Sequence, residues 1–205
     1  MNQKTHWESV YATNAPDQVG WFQAHPRLSL EMIVECALSS SAHIIDVGGG
    51  ASTLVDHLVA QAYANITVLD ISGNALVAAQ ARLGALARDV TWIEADVTKA
   101  ALPTAAYDLW HDRAVFHFLV DKDDRARYVE VMRKTLKPDG HLIIAAFALD
   151  GPTRCSGLET VRFGPEDLCR EVGAAFRLVA SEYETHMTPS GKHQNYIFCR
   201  FRRQS

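Results

Sequence analysis

Short apolar runs of strand length alternate along this chain with segments whose apolar residues recur at helical spacing. Strands are predicted at 44–47, 65–69, 90–95, 106–110, 141–147, 176–183 and 194–201, and helices at 5–13, from Pro26, from Leu54, at 73–86, at 121–136 and from Gly164. Strands that alternate with helices are typical of a parallel sheet covered on both faces, and two final strands joined by a short turn form a hairpin. The pattern predicts an α/β fold, a three-layer sandwich around a mostly parallel seven-stranded sheet with a C-terminal antiparallel hairpin.

The length of the chain favours a single domain. It has 205 residues, of which 48% are hydrophobic, so it can bury a sizeable core. Residues 1–40 contain two predicted helices and an aromatic-rich loop ahead of the first strand, and we interpret them as a helical lid. Residues 41–205 then form the core of the same domain.

Charge and cysteine spacing exclude several classes of function. The net charge of −4 provides no basic surface for nucleic acid, and no apolar run approaches the length of a membrane span. The first residues lack the apolar segment of a signal peptide, which predicts a cytoplasmic protein. Cys36, Cys155, Cys169 and Cys199 are scattered without a C-x-x-C pair, so we expect reduced thiols and no metal site.

The first predicted strand ends in three glycines, Gly48, Gly49 and Gly50, and a helical pattern follows them. A strand that turns through glycines into a helix commonly holds a nucleotide-like ligand. A dinucleotide fingerprint would place glycine or alanine where this chain has Thr53. Asp46 would repel a pyrophosphate and would suit an ammonium group, such as that of S-adenosylmethionine (SAM). The alternative that Asp46 only caps the turn stays open.

Acidic residues also end the next two predicted strands. Asp70 follows the second strand at the spacing expected for a carboxylate that binds two ribose hydroxyls, although it could instead cap the helix that starts near Ser72. Asp96 follows the third strand and is a candidate acceptor for an adenine amino group, with the backbone N–H of Val97 at the ring edge. The alternative is that Asp96 is a surface acid.

The fourth predicted strand runs into three consecutive polar residues, His111, Asp112 and Arg113. Ligands of open α/β sheets bind at the carboxyl ends of the strands, so these residues are candidates for catalysis. His111 is the candidate general base, because an unperturbed imidazole titrates near neutrality. A structural ion pair between Asp112 and Arg113 is the competing interpretation, and His117, one turn later, is interpreted as structural.

Aromatic residues of the lid and of the fourth strand's continuation could form an acceptor pocket. Trp21 and Phe22 in the lid, Phe116, and His186 near the closing turn are the candidates. The loop at 153–158 is a further candidate for its wall. The competing interpretation is that the aromatic residues are simply core.

Four segments together resemble the class I SAM-dependent methyltransferases: 46–50, 69–72 with Ile71 beside Asp70, 95–97, and 136–140. The resemblance implies a Rossmann-like core and SAM as cofactor, although this family usually has cysteine or alanine where the chain has Gly49. A narrower resemblance, through Trp7, Tyr11 and the stretch 110–119, is to the branch that includes citrate synthase lysine methyltransferase. That resemblance implies that Trp7 and Tyr11 lie near the methionine end of SAM.

Three classes of function follow from these predictions. The first is methyl transfer from SAM to a small-molecule nucleophile, a thiol, selenol, nitrogen or oxygen, which the aromatic walls favour. The second is methylation of a protein lysine, for which Asp112, Glu159 or Glu184 would receive the ammonium group. The third is a nicotinamide-dependent oxidoreductase or a SAM-binding protein without chemistry. An Asn/Asp-Pro-Pro-Tyr run is absent after the fourth strand, which argues against methylation of amino groups in nucleic acid.

Overall fold

The computed structural model describes residues 3–205. Its helices are α1 (Gln3–Thr13), α2 (Arg27–Val34), α3 (Leu54–Ala60), α4 (Gly73–Leu83), α5 (Lys122–Thr135) and α6 (Pro165–Val172), with short 3₁₀ helices at Gly84–Asp89 and Phe116–Phe118. Its strands are β1 (His43–Val47), β2 (Asn65–Asp70), β3 (Val90–Glu94), β4 (Tyr107–Arg113), β5 (Leu136–Phe147), β6 (Arg154–Cys155), β7 (Leu158–Glu159), β8 (Phe176–Met187) and β9 (His193–Arg203).

Seven strands form one sheet in the order β3-β2-β1-β4-β5-β9-β8. The pairs from β3 to β5 are parallel, whereas β9 is antiparallel to both β5 and β8. Because chain order reverses on the two sides of β1, a crevice opens between the carboxyl ends of β1 and β4. The predicted α/β class, the mostly parallel sheet and the closing hairpin are confirmed.

Each face of the sheet is covered by its own hydrophobic core. Residues of α2, α3 and α4 pack on one face, and residues of α5 and α6 pack on the other. Successive side chains of a strand point to opposite faces, so Leu109 lies in the first core and Trp110 in the second. Continuing this alternation along β4 directs His111 and Arg113 toward the α2 face and Asp112 toward α5.

Two predicted boundaries were wrong. The fourth strand was expected to end at Trp110 but continues to Arg113, because His111, Asp112 and Arg113 pair with residues of β5. The turn predicted at 137–140 is instead a bulge within β5, where Asp139 adopts a φ of 58°. The sheet register moves across it, from Tyr107 opposite Leu136 to Leu109 opposite His141. A bulge adds residues to one strand without ending the ladder, so the turn-forming sequence was misleading.

The predicted helix over 73–86 is shorter than expected. α4 ends at Leu83, and Gly84, with a φ of 57°, begins a 3₁₀ helix that leads into β3. The predicted loop at 153–158 contains the small β6–β7 hairpin, with Cys155 paired to Leu158. The two helices predicted ahead of the first strand are present as α1 and α2.

Candidate functional site

A cavity of about 780 Å³ opens at the carboxyl ends of the parallel strands. One end is lined by residues that follow β2 and β3, namely Asp70, Ile71, Ala95, Asp96 and Val97. The other end is lined by Arg113, His117, Phe118, Leu119, Cys155 and Tyr196, and Gly48 lies on the wall between the two ends. The cavity thus has acidic side chains on the side of β2 and β3, and the cationic Arg113 on the side of β4.

The glycine turn leaves no room for a Cβ at any of its three positions, and two of them also have a positive φ. Gly48 has a φ of 67°, and a Cβ there would overlap the side chain of Val115. Gly50 has a φ of 37°, and its Cβ would lie 2.6 Å from Oδ2 of Asp70. Positive φ and close packing both favour glycine, so this turn can bring backbone close to a ligand. Gly48 lines the cavity itself.

Asp70 ends β2 beside this turn and is 7% exposed. Its Oδ1 accepts a hydrogen bond from the backbone N–H of Ser72 at 2.8 Å, whereas the N-cap of α4 is the hydroxyl of Ser72 itself. Burial, reinforced by the charges of Asp46 and Glu8, raises the pKa of Asp70 to about 7, although the Ser72 N–H opposes the change. A carboxylate in this position would be stabilised by hydroxyl donors from a ligand.

Asp96 and Val97 line the same end of the cavity. Oδ1 of Asp96 accepts from both the backbone N–H and the hydroxyl of Thr98, at 3.0 and 2.7 Å. Burial opposes ionisation, but the hydrogen bonds from Thr98 and Lys99 hold the pKa of Asp96 below its ordinary value. Asp96 is therefore an ionised acceptor, held by its own loop, at the edge of the cavity.

The lid forms the outer wall of the cavity. Trp7 contacts Phe118 and Trp21 edge to face, with ring centroids 5.0 and 5.5 Å apart. The indole N–H of Trp21 donates to the hydroxyl of Tyr11 at 3.1 Å. Trp7, Tyr11 and Trp21 all line the cavity, so the lid aromatics cover part of it.

A second cavity of about 530 Å³ adjoins the first on the other side of Tyr11 and Trp21. It is lined by Asp46, Gly49, Phe22 and His111, among others, and it shares Gly48 and Arg113 with the first cavity. Thr53 lines neither cavity, because its hydroxyl donates to the backbone carbonyl of Gln23 at 2.8 Å and holds the lid loop. Gly50 also lines neither and supports the turn from behind.

Both ring nitrogens of His111 have partners within the protein. Nδ1 lies 2.7 Å from Oδ1 of Asp46, which is its neighbour on β1, and Nε2 lies 2.9 Å from the hydroxyl of Ser29 on α2. The ring is 2% exposed. No nitrogen is left for a substrate proton, so this geometry argues against the predicted general base and assigns His111 to holding α2 and the glycine turn on the sheet.

Asp112 is fully buried on the opposite face of β4. Its carboxylate accepts hydrogen bonds from the backbone N–H groups of Val115 and Phe116, at 2.9 and 3.1 Å, and from the hydroxyl of Tyr128 at 2.6 Å. Burial raises the pKa of Asp112 to about 6, although these donors oppose the change. The predicted catalytic role of Asp112 does not fit this geometry, because the carboxylate points to α5 and its hydrogen bonds stabilise the turn after β4. The alternative ion pair with Arg113 is not formed either, because Arg113 points to the other face.

The predicted acceptor residues fall in different places. Phe116 is fully buried against Tyr128 and Phe163 and lines neither cavity. His186 also lines neither, because its Nε2 lies 2.9 Å from the carbonyl of Gly20 and fastens the lid to β8. Only Trp21 of this group reaches the larger cavity, together with Arg113 from the predicted catalytic set.

Sequence reasoning missed one residue that joins the lid to the rest of the site. Glu8 of α1 accepts from the Ser72 hydroxyl and from the backbone N–H groups of Gly73 and Asn74, at 3.0, 2.9 and 3.1 Å. A carboxylate at the first turn of a helix is favoured by the unpaired N–H groups there. Glu8 thus joins the lid to the start of α4, close to Asp70. The spacing of α1 alone contains no signal for this contact.

The described part of the chain, residues 3–205, contains no helix that is both long and apolar enough to cross a bilayer. Over the same residues, no group of three or more histidine, cysteine or acidic side chains is arranged to hold a metal ion. The four cysteines are free thiols.

A family model described as a methyltransferase domain matches residues 45–142, the segment from β1 into β5. Three solved structures share the fold over nearly the whole chain. One comes from work on the conversion of a disulfide bond into a thioacetal group during echinomycin biosynthesis, with a TM-score of 0.80 and 15% identity, covering 99% of this chain and 93% of that one.

The second is the N-methyltransferase NodS from Bradyrhizobium japonicum WM9 in complex with S-adenosylhomocysteine, with a TM-score of 0.73, 18% identity and full coverage of both chains. The third is the 1,6-didemethyltoxoflavin-N1-methyltransferase from Burkholderia thailandensis, with bound 1,6-didemethyltoxoflavin and S-adenosylhomocysteine. Its TM-score is 0.69 at 20% identity, over 98% of this chain and 84% of that one. Residues 45–142 therefore match a methyltransferase domain, and the chain shares the fold of these methyltransferases over nearly its whole length.

Proposed function

We propose that this protein is a class I methyltransferase that transfers a methyl group from SAM to a small-molecule nucleophile, a thiol, selenol, nitrogen or oxygen. The observation that supports it is the partly buried cavity, with carboxylates on one side and apolar side chains and Arg113 on the other. We further propose that residues 1–205 act as one domain, with residues 1–40 as its lid.

The residues present fit SAM. Gly48 lets the backbone approach the ligand, and Asp70 would accept hydrogen bonds from the two ribose hydroxyls. Asp96 and the N–H of Val97 would meet the adenine edge, beside Ile71. Asp46 is the carboxylate closest in sequence to the glycine turn and suits the ammonium group, through the second cavity that it lines.

Two further lid residues fit the methionine end of SAM. Trp7 and Tyr11 line the cavity wall from α1, as the narrower resemblance implies. Burial, reinforced by the charge of Asp70, raises the pKa of Tyr11 well above its ordinary value, although the Trp21 N–H opposes the change. Tyr11 is therefore a neutral hydroxyl at physiological pH and can donate a hydrogen bond to a carboxylate.

SAM supplies an electrophilic methyl group on a sulfonium, which reacts when a nucleophile approaches in line with the carbon–sulfur bond. The contribution of this chain is to orient the acceptor and to exclude water, and holding two reactants in line can supply on the order of 7–11 kcal/mol. His111 is enclosed by Asp46 and Ser29, so it orients the glycine turn and takes no proton from the acceptor.

Enclosure favours a small acceptor over a protein lysine. His117 and Tyr196, at the far end of the cavity, are fully buried. The acids predicted to receive a lysine ammonium are not placed for it, since Asp112 is occupied by its own turn and Tyr128, and Glu184 lies beside Arg113. Glu159 is exposed on the small hairpin and does not line the cavity. One of the similar structures is a methyltransferase bound to the small molecule 1,6-didemethyltoxoflavin, and another comes from work on echinomycin biosynthesis.

The proposed function is tested by calorimetry followed by a transfer assay. We expect SAM and S-adenosylhomocysteine to bind and NAD not to bind, because Asp46 beside the glycine turn would repel a pyrophosphate. A tritiated methyl group should then appear in the small-molecule fraction of a lysate. Label confined to the macromolecular fraction would favour the lysine alternative, and binding of NAD without SAM would overturn the proposal.

Replacing Asp70 by Asn should weaken SAM binding and yet stabilise the ligand-free protein. An amide replaces one acceptor by a donor, so we expect about a 10-fold loss of SAM affinity, corresponding to one poorer hydrogen bond to ribose. The Asp70 carboxyl has a folded pKa of about 7, raised from an ordinary 3.8. Its contribution to stability is therefore complete at low pH and is lost as the pH rises through the folded value.

We thus expect the ligand-free wild type to lose stability between about pH 5 and pH 8, and the Asp70→Asn variant to lose less, by roughly 1–3 kcal/mol. The free energy of unfolding in urea at the two pH values gives this difference, and calorimetry gives the SAM affinity. Part of the slope should remain, because the pKa of Asp112 is also raised, to about 6. A variant that binds SAM normally would exclude Asp70 from the ribose site.

A further inference from the structure

Three buried nitrogen atoms at the basic end of the larger cavity have no hydrogen-bond partner among residues 3–205. They are Nε and Nη2 of Arg113 and Nε2 of His117, and both side chains line the cavity. Buried polar groups in folded proteins are nearly always paired, because an unpaired donor costs about 1–3 kcal/mol. Unpaired donors grouped on a cavity wall therefore indicate a ligand group that completes them.

Arg113 is held in place by contacts that leave part of its guanidinium unpaired. Nη1 donates to the carbonyl of Trp21 at 2.9 Å, and the guanidinium lies over the ring of Tyr196, 4.8 Å from its centroid. Oε2 of Glu184 lies 4.0 Å from Nη2, too far for a hydrogen bond, and accepts one from Gln23 instead. The side chain of Arg113 is 11% exposed, so water cannot fully solvate its charge.

His117 presents a fixed donor to the same region. The backbone N–H of Phe147 donates to Nδ1 at 3.1 Å, so Nδ1 has no proton and the ring proton is on Nε2. Burial, together with the charge of Arg113, lowers the pKa of His117 to about 3, so the ring stays neutral. Stacking on Phe147, with centroids 4.1 Å apart, fixes the direction of the Nε2–H bond.

We propose that Arg113 and His117 bind an anionic group of the methyl acceptor, of the carboxylate type, while its apolar body packs on Phe118 and Leu119. This inference rests on the proposed methyl transfer and specifies its substrate class. Both side chains present only donors to the cavity, and the Glu184 carboxylate beside Arg113 does not line it, so a cationic acceptor would find no carboxylate on this wall. The carboxylates of Asp70 and Asp96 at the opposite end repel an anion, so the charge difference along the cavity also sets which way the acceptor enters.

Benzoate and benzamide provide the test, because they have nearly the same shape and differ in charge. Calorimetry is performed on protein saturated with S-adenosylhomocysteine, so that the cofactor's own carboxylate site is already filled. We expect benzoate to bind about 10-fold or more tightly than benzamide, and Arg113→Gln and His117→Phe each to remove most of that preference. Arg113→Lys keeps the positive charge and should retain part of the preference for benzoate.

Arg200→Gln is the matched control. The Arg200 side chain is also 11% exposed and pairs with Glu35, and it does not line the larger cavity. This variant should keep both the benzoate preference and the affinity for S-adenosylhomocysteine. Each variant is first titrated with S-adenosylhomocysteine, because a wild type that fails to bind it contradicts the proposed function rather than this inference.

Equal binding of benzoate and benzamide by wild type that does bind S-adenosylhomocysteine would overturn the inference. So would an Arg113→Gln variant that keeps the preference but loses affinity for S-adenosylhomocysteine, since Arg113 would then contact the cofactor. A preference that disappears equally in Arg200→Gln would show a general charge effect and would also overturn it.

Discussion

Replacing Gly48 by Ala should reduce SAM affinity by roughly 100-fold or more, because a methyl group would occupy the surface on which we propose that the cofactor lies. The backbone at Gly48 has a φ of 67°, which a residue with a Cβ adopts only under strain, and the Cβ would also overlap Val115. Val115 belongs to the turn after β4 and lines the same cavity, so relieving the overlap would deform the site.

Gly84→Ala separates backbone strain from cavity loss. Gly84 has a φ of 57°, similar to that of Gly48, but a Cβ there meets no atom within 4 Å. Each variant should lose about 1 kcal/mol of stability from the positive φ alone. Only Gly48→Ala should lose SAM binding by calorimetry, and comparable losses in both variants would refute close contact between this turn and the cofactor.

Replacing Asp112 by Ala should destabilise the protein by about 3–5 kcal/mol, as expected when one partner of a buried hydrogen-bonded network is removed. Two backbone N–H groups and the Tyr128 hydroxyl would lose their shared acceptor. Tyr128→Phe should cost less, about 1–2 kcal/mol, because the Asp112 carboxylate keeps both backbone donors. The remaining cost arises because the indole N–H of Trp110 loses the Tyr128 hydroxyl as its acceptor.

Asp108→Ala is the control on the same strand. Asp108 accepts hydrogen bonds from the backbone N–H of His43 and from Lys137, both at 2.8 Å, and its side chain is 28% exposed. Water can therefore replace the carboxylate as acceptor, and Asp108→Ala should lose only about 1 kcal/mol of stability. Urea unfolding measures all three variants. If Asp112→Ala folds with wild-type stability but loses turnover at saturating SAM, the carboxylate acts on the substrate after all.

The acidic strand ends could be predicted because the signal is local. Apolar runs stop at Asp46, Asp70 and near Asp96, and parallel strands bring their carboxyl ends to one edge of a sheet, so the sequence places all three together. The glycine turn between the first strand and the next helix was predictable for the same reason. The structure places these residues around adjoining cavities, as this reasoning expected.

The polar residues after Trp110 were misread because their partners are distant in sequence. His111 bonds Ser29, which is 82 residues earlier, and Asp112 bonds a tyrosine on the next helix. Consecutive polar residues normally end a buried strand. Here His111, Asp112 and Arg113 each find a partner inside the protein, so β4 continues through all three. His117 was interpreted as structural from the sequence. The backbone N–H of Phe147, 30 residues later, occupies its Nδ1 and leaves Nε2 without a partner, and the sequence contains no signal for this contact.

The alternation of side chains along β4 has an evolutionary consequence. Asp112 faces the helices behind the sheet and contributes to stability, whereas the adjacent Arg113 lines the cavity. If Arg113 binds the acceptor as we propose, a substitution at Arg113 would change acceptor selectivity without disturbing the hydrogen bonds of Asp112. A protein with this architecture can then acquire a new acceptor by changing one position of β4 and keeping its neighbour.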